Sequence, residues 1–502
     1  MPAPPALSTD RLAGNLRPAD LRRQNPWWRG EAQPRLPEAR RWLFDKLYAR
    51  IARPLAPVLL VRGPRQVGKT TLQGQLIQQL LADGVSPTRI LRAQFDDHPS
   101  RGRSAHVVLD LVYWYEEHVL GEPFNEAARS GRPAVLFLDE VQNLVDWDVQ
   151  IKQLVDHHDV VLVVTGSSAL RIGLGRDSLA GRIQSFDLGT LRLSEIAALR
   201  GFGPLPPMQA DNGWTEWLEP GFWRALSAHG AAHSGARDAA FAAFDERGAY
   251  PRSQTAADVP WPEVADQLND TVVRRVIQHD LRLGERGRKR DPQLLEEVFR
   301  LACRYAGQSP STTTLAREAQ ARLGANVGAQ RVRHYLEFLD SSLLIRMVPP
   351  LEMRLKKQRA PGKLCLCDHG VRAAWLQEDI PLAPERLDRA EGLAELAGHL
   401  VESIVGYYTL SLTGLDVAYL PVRTGQAEVD LVLSIGTQRI PIEIKYRRRV
   451  DAPRDVAGLT AFLGQQANNA PFGLVITRSD TRVPPLDPRI VPIALRDLLL
   501  VR

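Results

Sequence analysis

Gly63-Pro64-Arg65-Gln66-Val67-Gly68-Lys69-Thr70 is the stretch that decides how the N-terminal part of this chain folds. It satisfies the pattern G-x-x-x-x-G-K-[ST], in which the glycines permit a tight turn and close approach of the backbone to a polyphosphate. The flanks agree with it. Pro57-Val58-Leu59-Leu60-Val61 is a short apolar run that reads as a buried strand, and Thr71-Leu72-Gln73-Gly74-Gln75-Leu76-Ile77 follows with helical spacing. Strand, glycine loop and helix together aim backbone N–H groups and a positive helix end at phosphate. The candidate nucleotide contacts are therefore Gly63, Pro64, Arg65, Gln66, Val67, Gly68, Lys69, Thr70 and Thr71. Lys69 is placed to reach the β- and γ-phosphates of ATP, and Thr70 to hold Mg²⁺.

About seventy residues on, Ala134-Val135-Leu136-Phe137-Leu138 ends in Asp139-Glu140. An apolar strand closed by two acids supplies what hydrolysis needs beside a phosphate loop: Asp139 as a Mg²⁺ ligand through water, and Glu140 to polarise the attacking water. The next apolar run, Val160-Val161-Leu162-Val163-Val164, ends at Thr165-Gly166-Ser167-Ser168. Thr165, with Ser167 as the alternative, is the candidate sensor of the γ-phosphate. A short helix is expected over Asp177–Arg182, followed by a strand at Ile183-Gln184-Ser185-Phe186-Asp187-Leu188. Arg182, or alternatively Arg176, is the candidate arginine finger, since a guanidinium there can stabilise charge on a neighbouring subunit's nucleotide. An arginine at a helix end also serves the helix dipole, and that second reading stays open.

With 502 residues the chain is too long for one hydrophobic core, so several domains are expected. Its net charge of +6 arises from 64 Lys and Arg against 58 Asp and Glu, so any basic footprint must be local. No apolar run approaches a membrane span, and the proline-rich start lacks the apolar core of a signal peptide. The three cysteines, Cys303, Cys365 and Cys367, exclude a disulfide scaffold. Cys365-Leu366-Cys367 also lacks the two further ligands of structural zinc, and Leu364-Cys365-Leu366-Cys367 reads as a buried strand. A reduced, soluble, cytoplasmic protein is expected.

The phosphate loop, Phe137-Leu138-Asp139-Glu140-Val141-Gln142, Thr165-Gly166-Ser167-Ser168 and Leu179-Ala180-Gly181-Arg182 together resemble the prokaryotic predicted-ATPase family of the AAA+ superfamily. In that family a domain of unknown function follows the ATPase. Lys363-Leu364-Cys365-Leu366-Cys367-Asp368-His369-Gly370 and the segment from Glu428-Val429-Asp430 to Glu443-Ile444-Lys445 resemble this second domain. The resemblance runs from about Trp42 to Arg502. Gly201 to Phe244, with Trp214, Trp217 and Trp223, departs from it and reads as an insertion, either a partner surface or a unit with its own small core. Arg252, after Gly248-Ala249-Tyr250-Pro251, is a candidate second sensor.

From Leu294 onward three helical patterns follow closely: one with Leu294, Leu295, Val298, Phe299, Leu301 and Ala302, a short one over Thr314–Gln320, and one over Val327–Leu339. With Leu343–Val348 as a wing they read as a winged helix-turn-helix. Its third helix carries Arg331 and Arg333 as candidate DNA contacts, and Arg286-Gly287-Arg288-Lys289-Arg290 upstream is strongly basic. Such modules also serve protein partners.

Further on, Val429–Leu433, a turn at Gly436-Thr437 and Ile440–Lys445 read as a hairpin that converges Asp430 and Glu443. Lys445 lies on the same face as Glu443. The pattern Asp430-x12-Glu443-x-Lys445 is that of PD-(D/E)xK nucleases, and Glu402 could complete the acidic cluster, as in archaeal Holliday-junction resolvases. Carboxylates of this kind hold Mg²⁺ against a scissile phosphate. Arg447, Arg448 and Arg449 follow as candidate phosphate contacts.

The expected fold is α/β: a P-loop AAA+ domain with a helical lid, then a winged helix, then a PD-(D/E)xK-like α/β domain. The expected divisions are 1–40 as an N-terminal extension, 41–200 as the ATPase core, 201–290 as insertion and lid, 291–355 as the winged helix and 356–502 as the nuclease-like domain. The expected function is an ATP- and Mg²⁺-dependent, ring-forming homo-oligomer, with a hexamer as the expected ring, that acts on DNA without membrane association. Its nuclease-like domain would bind or cut branched DNA in recombination or repair. An ATP-gated signalling or defence switch with protein partners, and an ATP-regulated metal-dependent nuclease, are the alternatives.

Overall fold

A computed structural model describes residues 17–95, 106–166, 179–209, 213–278, 291–352, 360–390, 392–412, 414–422 and 428–501. The chain divides into two compact units, Met1–Leu188 and Gly189–Arg502. Ser167, Arg176 and the basic run Arg286–Arg290 lie outside the described residues.

The first unit is built on a five-stranded parallel sheet of order β2-β3-β4-β1-β5, with β1 Val58–Arg62, β2 Ile90–Gln94, β3 Ala134–Asp139, β4 Val160–Gly166 and β5 Ile183–Asp187. Its central strands β3 and β4 are buried along their whole length, as strands of a parallel sheet are. Leu60, Leu91, Leu136, Leu162 and Val164 are fully buried in one core with the helices Val107–Tyr115 and Trp147–His157. The phosphate loop leaves β1 and enters the helix Lys69–Ala82. At the sheet edge Arg62 pairs with Asp187 across β1 and β5 at 2.6 Å. The helix expected before β5 is a turn in its described part, Leu179–Arg182. Gly181 sits at φ 78, and the left-handed residue turns the chain out of helical geometry.

The second unit holds the three helices as Pro292–Arg304, Thr312–Leu323 and Ala329–Ser341, packed on one another. Asp291 and Ser311 cap the first two by accepting from Leu294 N and Thr314 N, and the Ser311 cap starts its helix earlier than the apolar pattern implies. β6 Ile345–Val348 pairs antiparallel with β7 Lys363–Leu366. The division expected at 355 therefore falls inside the connection of one two-stranded ribbon. A mixed sheet follows, of order β12-β11-β10-β9-β8, from β8 Asp416–Leu420, β9 Val429–Ile435, β10 Gln438–Lys445, β11 Gly473–Thr477 and β12 Ile490–Ala494. β8, β9 and β10 run antiparallel, whereas β11 and β12 join in parallel. The helix Ala394–Leu410 packs on β8 and β10 and on the β6–β7 ribbon.

The tryptophan-rich insertion settles as a unit with its own small core. Trp217 and Trp223 are each 1 % exposed, with ring centroids 5.2 Å apart and edge to face, and Phe222 stands 5.5 Å from Trp223. The helices Pro220–Ala232 and Ser234–Arg247 carry this core onto β12 and the short helix Leu495–Leu498. There Arg237 and Asp497 form a buried ion pair at 2.7 Å.

Candidate nucleotide and carboxylate sites

Backbone conformation makes the phosphate loop. Gly68 has φ 91 and begins the helix at Lys69, a conformation that costs a glycine little and other residues more. Gly63 is required by proximity, since a Cβ there would stand 2.2 Å from the carbonyl oxygen of Leu188. Lys69 is 5 % exposed and its Nζ donates to the carbonyls of Gly63 at 3.0 Å and Pro64 at 2.8 Å. The lysine thus lies curled along its own loop, within reach of whatever the loop encloses. Arg65 and Val67 are buried in the loop, while Gln66 is exposed at φ 64.

The tips of β3 and β4 meet this loop. Register pairs Asp139 with Thr165. The Thr165 hydroxyl donates to Asp139 Oδ1 and accepts from Gln73 Nε2 at 3.1 Å, while the Thr70 hydroxyl donates to Asp139 Oδ2 at 2.8 Å. Gln73, Thr165, Asp139 and Thr70 form one hydrogen-bonded chain beneath the loop. Burial raises the Asp139 carboxyl above its ordinary range, and the neighbouring Glu140 charge adds to this against the pull of Thr165, Thr70 and Lys69. A buried carboxylate whose charge is this poorly compensated is suited to a cation, so Asp139 and Thr70 fit the Mg²⁺ that accompanies a nucleotide. Glu140 is 7 % exposed at φ 57, ψ 40, with Gln142 Nε2 donating to its carboxylate. Sequence reasoning passed over Gln73 and the part played by Gln142. Both are neutral amides, and their only signal was position within the motifs.

Arg182 lies just before β5 and forms a forked pair with Asp156 on the helix Trp147–His157, with Nη2 to Oδ2 at 3.2 Å. Both side chains are about one-third exposed. Arg252, in the second unit, is exposed and donates to Gln267 at 2.9 Å.

In the second unit the hairpin β9–β10 forms in the expected register. The ladder, read one step past Ile442↔Leu431, sets Asp430 opposite Glu443. Asp430 Oδ2 accepts from Ile444 N at 2.8 Å, and Lys445 Nζ donates to Glu443 Oε1. Glu443 is 8 % exposed, and its Oε2 is buried with no hydrogen-bond partner. Burial, followed by the Asp430 charge, raises the Glu443 carboxyl to about 8. Asp430 is raised too, by burial and by Glu402.

Glu402 does approach from its helix, but the expected acidic triplet is not assembled as such. Lys363 from β7 stands between, its Nζ 2.7 Å from Glu402 Oε2 and 3.6 Å from Asp430 Oδ1. Among the described residues no three His, Cys, Asp or Glu side chains form a group that could hold a metal ion. Burial opposes the charge on Lys363, but Asp430 and Glu402 outweigh it and raise its pKa. Lys363 was legible only as the first residue of an apolar strand.

The basic candidates are distributed differently from the carboxylates. Gln330, Arg331, Arg333 and His334 share the exposed face of Ala329–Ser341, where Arg331 pairs with Asp291 at 3.3 Å. Arg447, Arg448 and Arg449 are exposed, Arg447 pairing with Asp455 and Arg448 with Asp388.

Three family models match the chain. Residues 56–197 match the model of an AAA domain. Residues 242–380 and 397–496 match two domains of unknown function, DUF8612 and DUF4143. The chain is 24 % identical over 406 residues to the uncharacterized protein Rv2008c of Mycobacterium tuberculosis, covering 79 % of this chain and 72 % of that protein. The uncharacterized protein Mb2031c of Mycobacterium bovis matches equally. An uncharacterized protein of Methanocaldococcus jannaschii, MJ1637, is 28 % identical over 130 residues, 26 % of this chain and 25 % of its own. No helix among the described residues is long and apolar enough to cross a membrane. An AAA domain implies nucleotide binding, usually with Mg²⁺, and the phosphate loop and its acidic strand lie within residues 56–197. The chain carries an AAA domain followed by two domains of unknown function, an arrangement consistent with that of the AAA+ predicted ATPases.

Proposed function

We propose that the protein hydrolyses ATP and applies the resulting change to DNA, as a ring-forming assembly whose second unit combines a winged helix with a nuclease-like sheet. The observation that carries the DNA reading is the convergence of Asp430, Glu443 and Lys445 on one hairpin, with Arg447, Arg448 and Arg449 exposed just beyond it. The three packed helices with the β6–β7 ribbon support the winged-helix reading, and Arg331 and Arg333 on the exposed face of the third are its DNA contacts.

In the first unit Lys69 leaves its own loop carbonyls for phosphate oxygens, and the loop N–H groups and helix end bind the remaining negative charge. Glu140, held by Gln142, orients the attacking water. Thr70 and Asp139 would hold Mg²⁺, which would supply positive charge to the phosphate oxygens. Arg182 acts on the nucleotide of the adjacent subunit. Surface ion pairs contribute little to stability, so the Arg182–Asp156 fork is easily exchanged for a phosphate. Arg182→Ala should keep nucleotide binding and lower turnover on the order of 10³-fold. Mixing it with Lys69→Ala should give activity that departs from the sum of independent chains. Undiminished turnover in Arg182→Ala would remove the finger.

In the second unit Asp430 and Glu443 are the candidate ligands of a divalent cation, because Glu443 keeps a buried oxygen without a hydrogen-bond partner beside Asp430. Such an ion would supply Lewis acidity beside a phosphodiester. Lys445 balances the charge of Glu443 and stands ready for the scissile phosphate. ATPase rates measured with duplex, forked and four-way DNA test the whole reading. Stimulation by at least one of them is expected, and the absence of both stimulation and binding at moderate salt would refute it. With DNA and Mg²⁺ or Mn²⁺, cutting should disappear in Asp430→Ala, and equal cutting by variant and wild type would move the site elsewhere. A second reading, an ATP-gated switch that binds protein partners, draws on the carboxylate partners of Arg331, Arg447 and Arg448, which leave those arginines neutralised within the chain.

A further inference from the structure

We propose that Gln73 and Thr165 are positioning residues that act through Asp139, so that Thr165 serves the Mg²⁺ ligand in the ADP and ATP states alike rather than contacting the γ-phosphate. The inference rests on the reading of Thr70 and Asp139 as Mg²⁺ ligands.

Gln73 follows Lys69 by four residues, so it lies one turn on along the same face of the helix Lys69–Ala82, and there it meets the tip of β4. A buried amide is costly unless it is hydrogen-bonded, and this one is 1 % exposed. Its Nε2 donates to the Thr165 hydroxyl at 3.1 Å, whereas Oε1 is buried without a hydrogen-bond partner. The amide is thus anchored at its donor end.

The direction of the chain follows from its protons. A threonine hydroxyl has one proton to donate, and an ionised carboxylate has none. The Thr165 oxygen is in hydrogen-bond contact with Asp139 Oδ1, so its proton is directed there and it can only accept from Gln73. Only the Nε2 end of the amide meets that need, which is why Oε1 is the end left unpartnered. The oxygens of an ionised γ-phosphate are also acceptors, so Thr165 could donate to one only by giving up Asp139. Parallel pairing of β3 with β4 keeps Thr165 directly beside Asp139, buried among these partners. Asp139 accepts from Thr165 on one oxygen and from Thr70 on the other, and the two hydroxyls together set the plane of the carboxylate. Partners that orient a metal ligand in this way are worth on the order of ten- to a hundredfold in metal affinity.

The test measures how tightly the full-length protein binds a fluorescent ADP and a fluorescent, non-hydrolysable ATP analogue, with Mg²⁺ and with EDTA. Thr165→Val keeps the shape and removes the hydroxyl. It should bind both nucleotides on the order of tenfold more weakly with Mg²⁺ and as the parent does in EDTA. Gln73→Leu should show the same pattern, and the double variant should be no worse than Thr165→Val alone, because both side chains act through one carboxylate. Thr165→Ser, which keeps the hydroxyl, should bind as the parent does. A loss confined to the ATP analogue in Thr165→Val overturns the proposal in favour of a direct γ-phosphate contact. Parental affinities in Gln73→Leu remove Gln73 from the role, and losses that persist in EDTA reduce both residues to packing. A wild-type protein whose nucleotide affinity is the same with Mg²⁺ and EDTA overturns instead the Mg²⁺ reading beneath. Where Gln73→Leu does not fold, the Thr165 variants with the two nucleotides still decide between carboxylate and γ-phosphate.

Discussion

Glu140→Gln binds ATP as the parent does and turns it over at least about 10²-fold more slowly, the range expected when a group that orients or deprotonates a water is lost. The carboxylate is 7 % exposed, at the end of β3, on a residue whose left-handed backbone lifts it clear of the strand. An amide of the same shape keeps the packing and the contact with Gln142 while removing the charge that polarises the water. Phosphate release under saturating ATP measures the loss, and a fluorescent nucleotide titration shows that binding survives. Turnover equal to the parent would take Glu140 out of the hydrolytic role. Lys69→Ala differs in kind: it should lose binding and turnover together, since Lys69 lies along the phosphate loop itself.

Trp223→Ala should destabilise the second unit by about 3–5 kcal/mol, the cost of emptying a large buried aromatic site. Trp223 is 1 % exposed, packs against Trp217 and Phe222, and donates Nε1–H to the Trp217 carbonyl at 2.9 Å. Its neighbours Trp217 and Phe222 are themselves buried, so truncation leaves a cavity rather than a new contact. Chemical denaturation followed by tryptophan fluorescence checks it. A shift below about 1 kcal/mol would mean that the insertion contributes little to the unit it packs on.

The nucleotide site was legible because its parts are local. Gly63 to Thr70 is one turn, and Asp139 and Thr165 fall at the ends of two apolar runs whose parallel register then sets them side by side. The carboxylate hairpin was legible for the same reason, as Asp430 and Glu443 are joined by a short turn. What stayed hidden involves partners far apart in sequence. Lys363 reads as the first residue of an apolar strand, and nothing local announces that Glu402 and Asp430 will close on it. Asp156 is an ordinary acid on a helix until Arg182 meets it. Three tryptophans among prolines and alanines were equally compatible with a sticky surface or a core, and only the partner elements on β12 and Leu495–Leu498 distinguish the two. Of the helix expected over Asp177–Arg182, the described part, Leu179–Arg182, is a turn in which Gly181 is left-handed.

The ion pair of Arg237 with Asp497, and the hydrogen bond from Met208 N to Leu500 O at 2.8 Å, join residues synthesised far apart in time. A ribosome makes the insertion long before residues 490–501, while domains tend to fold as they emerge. Until β12 and Leu495–Leu498 arrive, Arg237 has no Asp497 and the tryptophan helices have no sheet to lie on. The second unit is therefore completed late in translation, when β12 and Leu495–Leu498 arrive to receive these helices.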